Sequence, residues 1–486
     1  MESDLVLLSR LQFAYTVTFH IIFPSLTIGL AAWLATLEGL HLFTRNPDYR
    51  RVFNFWLKLF AISFGMGVVF GIVMAFQFGT NWSVLSARTG NIQGPLLAYE
   101  VVTAFLLEAT FLGVVLFGRE RLPPLAYFLC CCMVAVGTTL SAFWIMVNNT
   151  WMQTPVGYAL MPDGTFLPTS WYDIIFSYAV WLRFPHMLLG AYLTTCFVVA
   201  ATGAWLLLKG RSPRQSKIML SMGLGLAAII IPVQLVFGHL NGTEVNKSQP
   251  AKLAAIEARW ETQQPASLVV IGIPIPSQER NILAIEIPGI GSCIDSGDCS
   301  SEEVGLKTFA PEDRPPVVIP FFTFRIMVGM GVIMLAVAWY AMVLQARGRL
   351  YSARWFLWVC VACFPVGWIA VISGWYTAEI GRQPWVVYNY LRTADAHSPL
   401  TLFDLIISLS GFILLYLLIV GSGAWYMLRM IRRGPQPDDS PVDGLIDQAG
   451  SPKRPLAVPY DAPEDASPGP GGPAPVRPVP TGSGGD

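Results

Sequence analysis

The chain has 486 residues, 54% of them apolar and only 13% charged, with 31 basic and 31 acidic side chains. A soluble domain carries about 25% charged residues, so this composition excludes an ordinary soluble protein. Zero net charge gives no electrostatic footprint for a nucleic-acid partner. The chain reads as an all-α polytopic protein of a lipid membrane.

The first stretch, MESDLVLLSRLQF, is acidic and has neither a basic n-region nor a small-residue cleavage site. It therefore opens a retained helix rather than a signal peptide. A spanning helix needs ~20 mostly apolar residues. Nine runs meet that length, at 12–38, 55–78, 97–118, 124–147, 184–208, 218–238, 318–345, 355–379 and 401–428. The predicted organisation is six spans within 1–238, an external loop over 239–317, and three spans within 318–430. The tail, 434–486, is rich in Pro, Gly, Ser and Asp. Such a composition cannot bury a core and is expected to be disordered.

The short loops differ in charge. One set holds Arg45, Arg50, Arg51, Arg119, Arg121, Lys209, Arg211, Arg214, Lys217, Arg347, Arg349 and Arg354, and Arg429, Arg432 and Arg433 follow the last span. The opposite set holds far fewer, among them Arg88, Arg382 and Arg392. The positive-inside rule puts the N-terminus outside and the C-terminus in the cytoplasm. Six cysteines lie in apolar runs and read as small hydrophobes. Cys293 and Cys299 lie in the external loop as CIDSGDC. Turn formers between them allow the chain to reverse, and an external disulfide is expected.

Ionisable groups inside spans are costly and point to function. Here they are His20, Glu100, Glu108, His186, Arg325 and Glu379, with Met327 close to Arg325. Counting at ~1.5 Å per residue puts His20, Glu100, His186 and Met327 ~27–33 Å from the cytoplasmic face, and Glu108 near ~15 Å. Glu379 ends its span on the outer side. His and Met are axial haem ligands, and a His/Met pair favours electron-transferring iron. Nearby arginines suit haem propionates. Each residue also has a packing reading, a buried carboxylate pair would equally serve a proton-coupled transporter, and a haem electron carrier needs no oxygen chemistry.

Several strings go further. SRLQFA (9–14), FQFGTNW (76–82), KLAAIEARWETQ (252–263), FRIMV (324–328) and GWYTAEIGRQPW (374–385) resemble the large subunit, subunit I, of cytochrome bd-type quinol oxidases. The likeness covers about 1–430 in the same order, with a short external quinol loop. It implies a bacterial plasma-membrane enzyme that oxidises quinol at the outer face and reduces O₂ to water with protons taken from the cytoplasm. It implies a low-spin haem b, a high-spin haem b and haem d. It implies a second large membrane subunit and a small single-span one. Position by position, His186 and Met327 match the low-spin ligands, and His20 and Glu379 those of the two high-spin haems. Glu100 matches the carboxylate beside that pair, and Glu108 and Ser141 match proton-conducting positions. Lys252 and Glu257 match quinol-site residues. Arg382, Arg325 and Arg10 match propionate partners, and Trp375 matches a position between haems.

Overall fold

The computed structural model describes residues 2–436. Apart from its first three residues, the predicted tail lies outside them. Among the described residues nine helices are long and apolar enough to cross a membrane: Asp4–Thr44, Pro47–Thr80, Ser83–Phe117, Pro124–Gln153, Trp171–Leu208, Pro213–Ser248, Pro311–Ala346, Arg354–Ile380 and Leu402–Arg433. They are called the first to ninth spans below. Each contains or overlaps one of the nine predicted runs and is longer at one or both ends.

Irregularities in three spans lie near candidate residues or at a proline. The first breaks between helices Glu2–Ile22 and Pro24–Thr44, because proline has no N–H to continue the ladder and its ring displaces the preceding turn. The break falls three residues after His20. The eighth divides in the same way at Pro365, between Arg354–Ala362 and Val366–Ile380. The third carries one π-helical segment, Val101–Phe105, between Ser83–Glu100 and Leu106–Phe117.

The fifth span is the hub. It packs against the first, fourth, sixth and eighth, and it is the most buried, whereas the ninth is the least. Fifth, sixth, seventh and eighth spans share one apolar cluster through Leu193, Phe197, Leu224, Ala338 and Phe356. First, second, third and fourth share another through Leu34, Trp56, Phe60, Leu112 and Tyr127.

The loops predicted to be basic gather at one end of the bundle. Arg119 pairs with Glu38, Gln215 donates to Asp48 at 2.6 Å, and Arg211 donates to the Arg432 carbonyl. Lys217 lies 5.2 Å from the centre of the Tyr351 ring. The opposite end holds the segment between the sixth and seventh spans. The sixth helix continues to Ser248, ten residues beyond its predicted end, before the short helix Pro250–Glu257. An antiparallel hairpin follows, Leu268–Ile275 on Arg280–Ile287, and then the helix Ile290–Asp295. Cys293 and Cys299 are joined in a disulfide with 4.0 Å between their Cα atoms. The loop also buries an ion pair, Arg259 to Asp295 at 2.5 Å, with Glu303 3.9 Å from the same guanidinium.

Candidate functional site

Glu379 lies at the end of the eighth span, and its carboxylate is held from three sides. Asn149 Nδ2 donates to Oε1 at 2.8 Å and Gln153 Nε2 donates to Oε1 at 3.0 Å. Arg382, one turn on, donates to Oε2. An ionised carboxylate has about four lone-pair sites, so three donors leave one direction for a metal. Nε and Nη1 of Arg382 are buried without a partner. These are donors suited to an anionic group, such as a propionate, brought against the eighth span.

The motif around Glu379 has a steric logic. A Cβ on Gly381 would lie 3.1 Å from Lys252 Cγ and 2.6 Å from the Thr377 carbonyl. The glycine lets the stem of Lys252 cross the end of the helix. Lys252 Nζ then reaches Gln153 Oε1 at 3.0 Å. Lys252 is 2% exposed. Burial pushes its pKa well below the usual lysine value, the positive charge of Arg183 adds to this, and Glu379 opposes it.

His186 on the fifth span and Met327 on the seventh belong to helices that both pack against the sixth and eighth. A Cβ on Gly374 of the eighth span would come 2.8 Å from Met327 Sδ, so the thioether lies flat against bare backbone there. His20 packs over Gly71 of the second span. Nδ1 of His20 and of His186 are both buried without a hydrogen-bond partner. Thr18 and Tyr376 hydroxyls meet at 2.7 Å, and Trp368 Nε1 donates to the Ile22 carbonyl at 2.9 Å. These bonds fix the helix bearing His20 to the one bearing Trp375 and Glu379. Trp375 is half-buried beside Tyr376, and Arg10 is half-buried on the first span.

Glu100 and Glu108 lie on either side of the π-helical segment. Ser141 Oγ donates to Glu100 Oε1 at 2.7 Å. Glu108 packs against Gly137, one turn from Ser141 on the fourth span, where a Cβ would come 2.6 Å from its Cγ. Glu108 is 6% exposed and its Oε1 has no partner.

Glu257 and Arg325 form a separate pair at 3.1 Å. Arg325 spends all three nitrogens inside the protein, on Glu257 and on the carbonyls of Ile256, Val269, Val270 and Phe321, with its guanidinium 3.6 Å over the Phe321 ring. It fastens the external loop to the seventh span. Burial raises the pKa of Glu257, and Arg325 opposes the rise.

The structure thus brings Glu379, Arg382 and Lys252 together, joins Glu100 with Ser141, and pairs Glu257 with Arg325. Three residues outside the predicted set belong to the first group. Asn149 and Gln153 are neutral amides in the run NNTWMQ, an unusually polar end for a spanning helix. Arg183 is a cation one residue outside the predicted fifth span, and it interacts electrostatically with Glu379, Arg382 and Lys252.

Among the described residues no three His, Cys, Asp or Glu side chains converge as a site for a bare metal ion. Haem, whose macrocycle supplies the equatorial donors, asks the protein for one or two axial ligands. Buried imidazoles with unpartnered nitrogens, a thioether on bare backbone and an arginine with free donors fit such a group.

The comparisons with known proteins agree. Residues 8–435 match the family model for cytochrome bd terminal oxidase subunit I. The chain is 34% identical to the cytochrome bd-II ubiquinol oxidase subunit 1 of Escherichia coli (strain K12), covering 89% of this chain and 97% of that protein. It is 35% identical to the cytochrome bd ubiquinol oxidase subunit 1 of Bacillus subtilis (strain 168), covering 90% and 95%. Its fold matches the bd oxidase structure from Geobacillus thermodenitrificans with a TM-score of 0.83 at 30% identity, over 89% of this chain and 99% of that one. The chain belongs to the cytochrome bd terminal oxidase subunit I family, the haem-bearing, multi-pass subunit of a respiratory quinol:O₂ oxidoreductase that works beside a subunit II.

Proposed function

We propose that this subunit oxidises quinol at the external loop, on the outer face of a bacterial plasma membrane, and reduces O₂ to water with protons taken from the cytoplasm. The N-terminus then lies outside and the described C-terminal end inside, with the tail cytoplasmic. The observation that carries the reading is the joining of the loop to the end of the eighth span through Lys252, Gln153 and Glu379.

His186 and Met327 are the proposed axial pair for a low-spin haem b. His20 and Glu379 are the proposed ligands of a high-spin haem b and of haem d. Arg382 is the best placed propionate partner, because two of its nitrogens are free. Arg10 is a second candidate, and Arg325 would have to exchange bonds it already makes. Trp375 lies one turn before Glu379, where an indole can pack between macrocycles. When bound, haem supplies iron that takes up electrons and binds O₂.

The residues of this chain handle substrate and protons. Lys252 donates from the amine to a quinol oxygen. Glu257, its pKa raised by burial, accepts a proton released there. Glu108, Ser141 and Glu100 form a polar line toward the outer cluster, and a hydroxyl between carboxyl groups both accepts and donates. Relatives in Escherichia coli and Bacillus subtilis are described as ubiquinol oxidases and a further Bacillus subtilis relative as a putative menaquinol oxidase, and a quinol is the proposed substrate class. A small single-span subunit is a further proposed partner.

A reduced-minus-oxidised spectrum, with and without carbon monoxide, tests the reading. His186→Ala or Met327→Leu is expected to remove or convert the low-spin signal and stop quinol oxidation, because one lost axial ligand changes spin state and potential. A normal low-spin spectrum with full turnover in either variant would overturn that ligand's assignment.

A further inference from the structure

Gln153 is fully buried, at 0% exposed, yet both ends of its amide are engaged. Nε2 donates to Glu379 Oε1 at 3.0 Å and to the Ala378 carbonyl at 3.3 Å. Oε1 accepts from Lys252 Nζ at 3.0 Å and from Gln249 Nε2 at 3.2 Å. Its backbone carbonyl accepts from the same Gln249 nitrogen at 2.6 Å. One face of the side chain thus holds the Glu379 carboxylate, and the other holds Gln249 and Lys252 where the chain leaves the sixth helix.

The orientation of this amide is fixed by chemistry. An ionised carboxylate only accepts hydrogen bonds, so the Gln153 nitrogen must face Glu379. The oxygen is then left for Lys252 and Gln249. Glutamate in place of glutamine would offer acceptors to both sides. Leucine would leave the Lys252 amine and one side of Glu379 buried without this partner. An amide of this length is the natural side chain that can donate to one and accept from the other.

From this geometry, and resting on the reading of Lys252 as a quinol-site residue and Glu379 as an iron ligand, we propose that Gln153 is a positioning residue that transmits occupancy of the external loop to the Glu379 carboxylate. A ligand oxygen that draws the Lys252 amine away weakens the bond to Gln153 Oε1. The amide is then free to shift, and the donor set on Glu379 changes with it. Substrate binding is thereby felt at the metal ligand through one side chain, with no movement of the spans. Gln249 keeps Gln153 in register by holding its backbone and its side chain together.

The test uses the whole purified oxidase with an alkyl-hydroxyquinoline N-oxide, a redox-inert mimic of the quinol head group. Optical redox titration of the high-spin absorbance, with and without the mimic, reads the coupling independently of turnover. In the unaltered protein the mimic is expected to shift the midpoint potential of the high-spin component. In Gln153→Glu and Gln153→Leu the mimic still binds, but that shift is lost. If neither variant assembles, Lys252→Met cuts the same chain from the loop side with Gln153 in place, and with the mimic raised until its binding is saturated the shift is again lost. No shift in the unaltered protein, or a retained shift in an assembled Gln153 variant or in Lys252→Met, overturns the proposal. Two outcomes separate it from the reading beneath. Normal quinol kinetics in Lys252→Ala would remove Lys252 from the quinol site, and an unchanged high-spin spectrum in Glu379→Gln would remove Glu379 as a ligand.

Discussion

Gly374 shows how a residue without a side chain can carry part of a site. The Met327 sulfur rests where a Cβ on residue 374 would come within 2.8 Å. Gly374→Ala must push that sulfur aside. The side chain is flexible, so the folding cost is about 1 kcal/mol, the low end of overpacking. Ligation is less tolerant, because an axial sulfur has to stay on its metal. Gly374→Ala is therefore expected to alter or erase the low-spin spectrum while leaving high-spin, carbon monoxide-reactive absorbance and protein yield nearly intact. An unchanged low-spin band would show that Met327 has slack at this contact or is not a ligand. This glycine was legible only as part of a motif. Its reason needed the seventh and eighth spans side by side. The charged candidates could be read from the sequence because a charge in an apolar run is conspicuous. Asn149 and Gln153 could not, because an uncharged amide near a helix end is ordinary until its partners are seen. Arg183 was missed for a simpler reason, since the fifth helix starts earlier than the apolar run that marks it.

At the scale of elements, the third span holds its two carboxylates in line by an irregularity. Glu100 and Glu108 are eight positions apart, and in a regular α-helix that separation turns them about 80° from alignment. A π-helical segment accommodates one extra residue locally. The eight positions then act as about seven α-helical ones, and the offset falls to about 20°. Deleting Val102, an exposed residue of Val101–Phe105, should convert the segment to α-helix and keep both carboxylates facing the fourth span. Oxygen reduction is expected to stay within about threefold of the unaltered rate, since the bulge absorbs a single-residue change. Inserting an alanine beside Val102 should instead lower it by about tenfold or more, since proton delivery is worth ~10²–10⁴. Equal rates in the two variants would show that the line of Glu100 and Glu108 is not used. No local composition marks a π-turn, so this feature lay beyond sequence reading.

The external loop rests on a buried charge network as much as on its disulfide. Arg259 faces Asp295 and Glu303, and all three side chains are at most 5% exposed. Arg259→Met leaves two buried carboxylates without their cation, a loss of about 3–5 kcal/mol. Limited proteolysis should then cut within 259–303, while spectra of the spans persist. A loop as resistant as before would mean that the disulfide and hairpin alone hold it. Intact mass after alkylation without reductant is expected to show no label on Cys293 or Cys299. The loop's existence and its cysteines were readable from composition. The ten-residue extension of the sixth helix was not, because NGTEVNKS lacks the apolar pattern that marks a span, and tertiary contacts carry it.

Across the whole molecule the nine spans were the most legible feature, since lipid demands long apolar helices whatever their function. Their arrangement adds a direction. The basic loops tie together at one end through Arg119, Gln215 and Arg211, and Lys252, Gln153 and Glu379 meet at the other. On the proposed reading, quinol protons are released at the loop, and charge is separated only if the protons consumed in oxygen reduction enter from the opposite end. Glu108 is the candidate that makes the difference. It faces the fourth span on the side of Glu100 toward the basic loops, buried, with one oxygen unpartnered. Glu108→Gln keeps the shape and much of the hydrogen bonding but removes the exchangeable acid. In proteoliposomes it is expected to slow oxygen reduction and proton uptake together by about tenfold or more, within the range for a lost acid–base group, while haem content is unchanged. Loss of a high-spin signal would make Glu108 part of the haem pocket. Normal uptake with normal turnover would mean that protons reach the outer cluster by another route, such as the partner subunit, and that the line of carboxylates in the third span is structural.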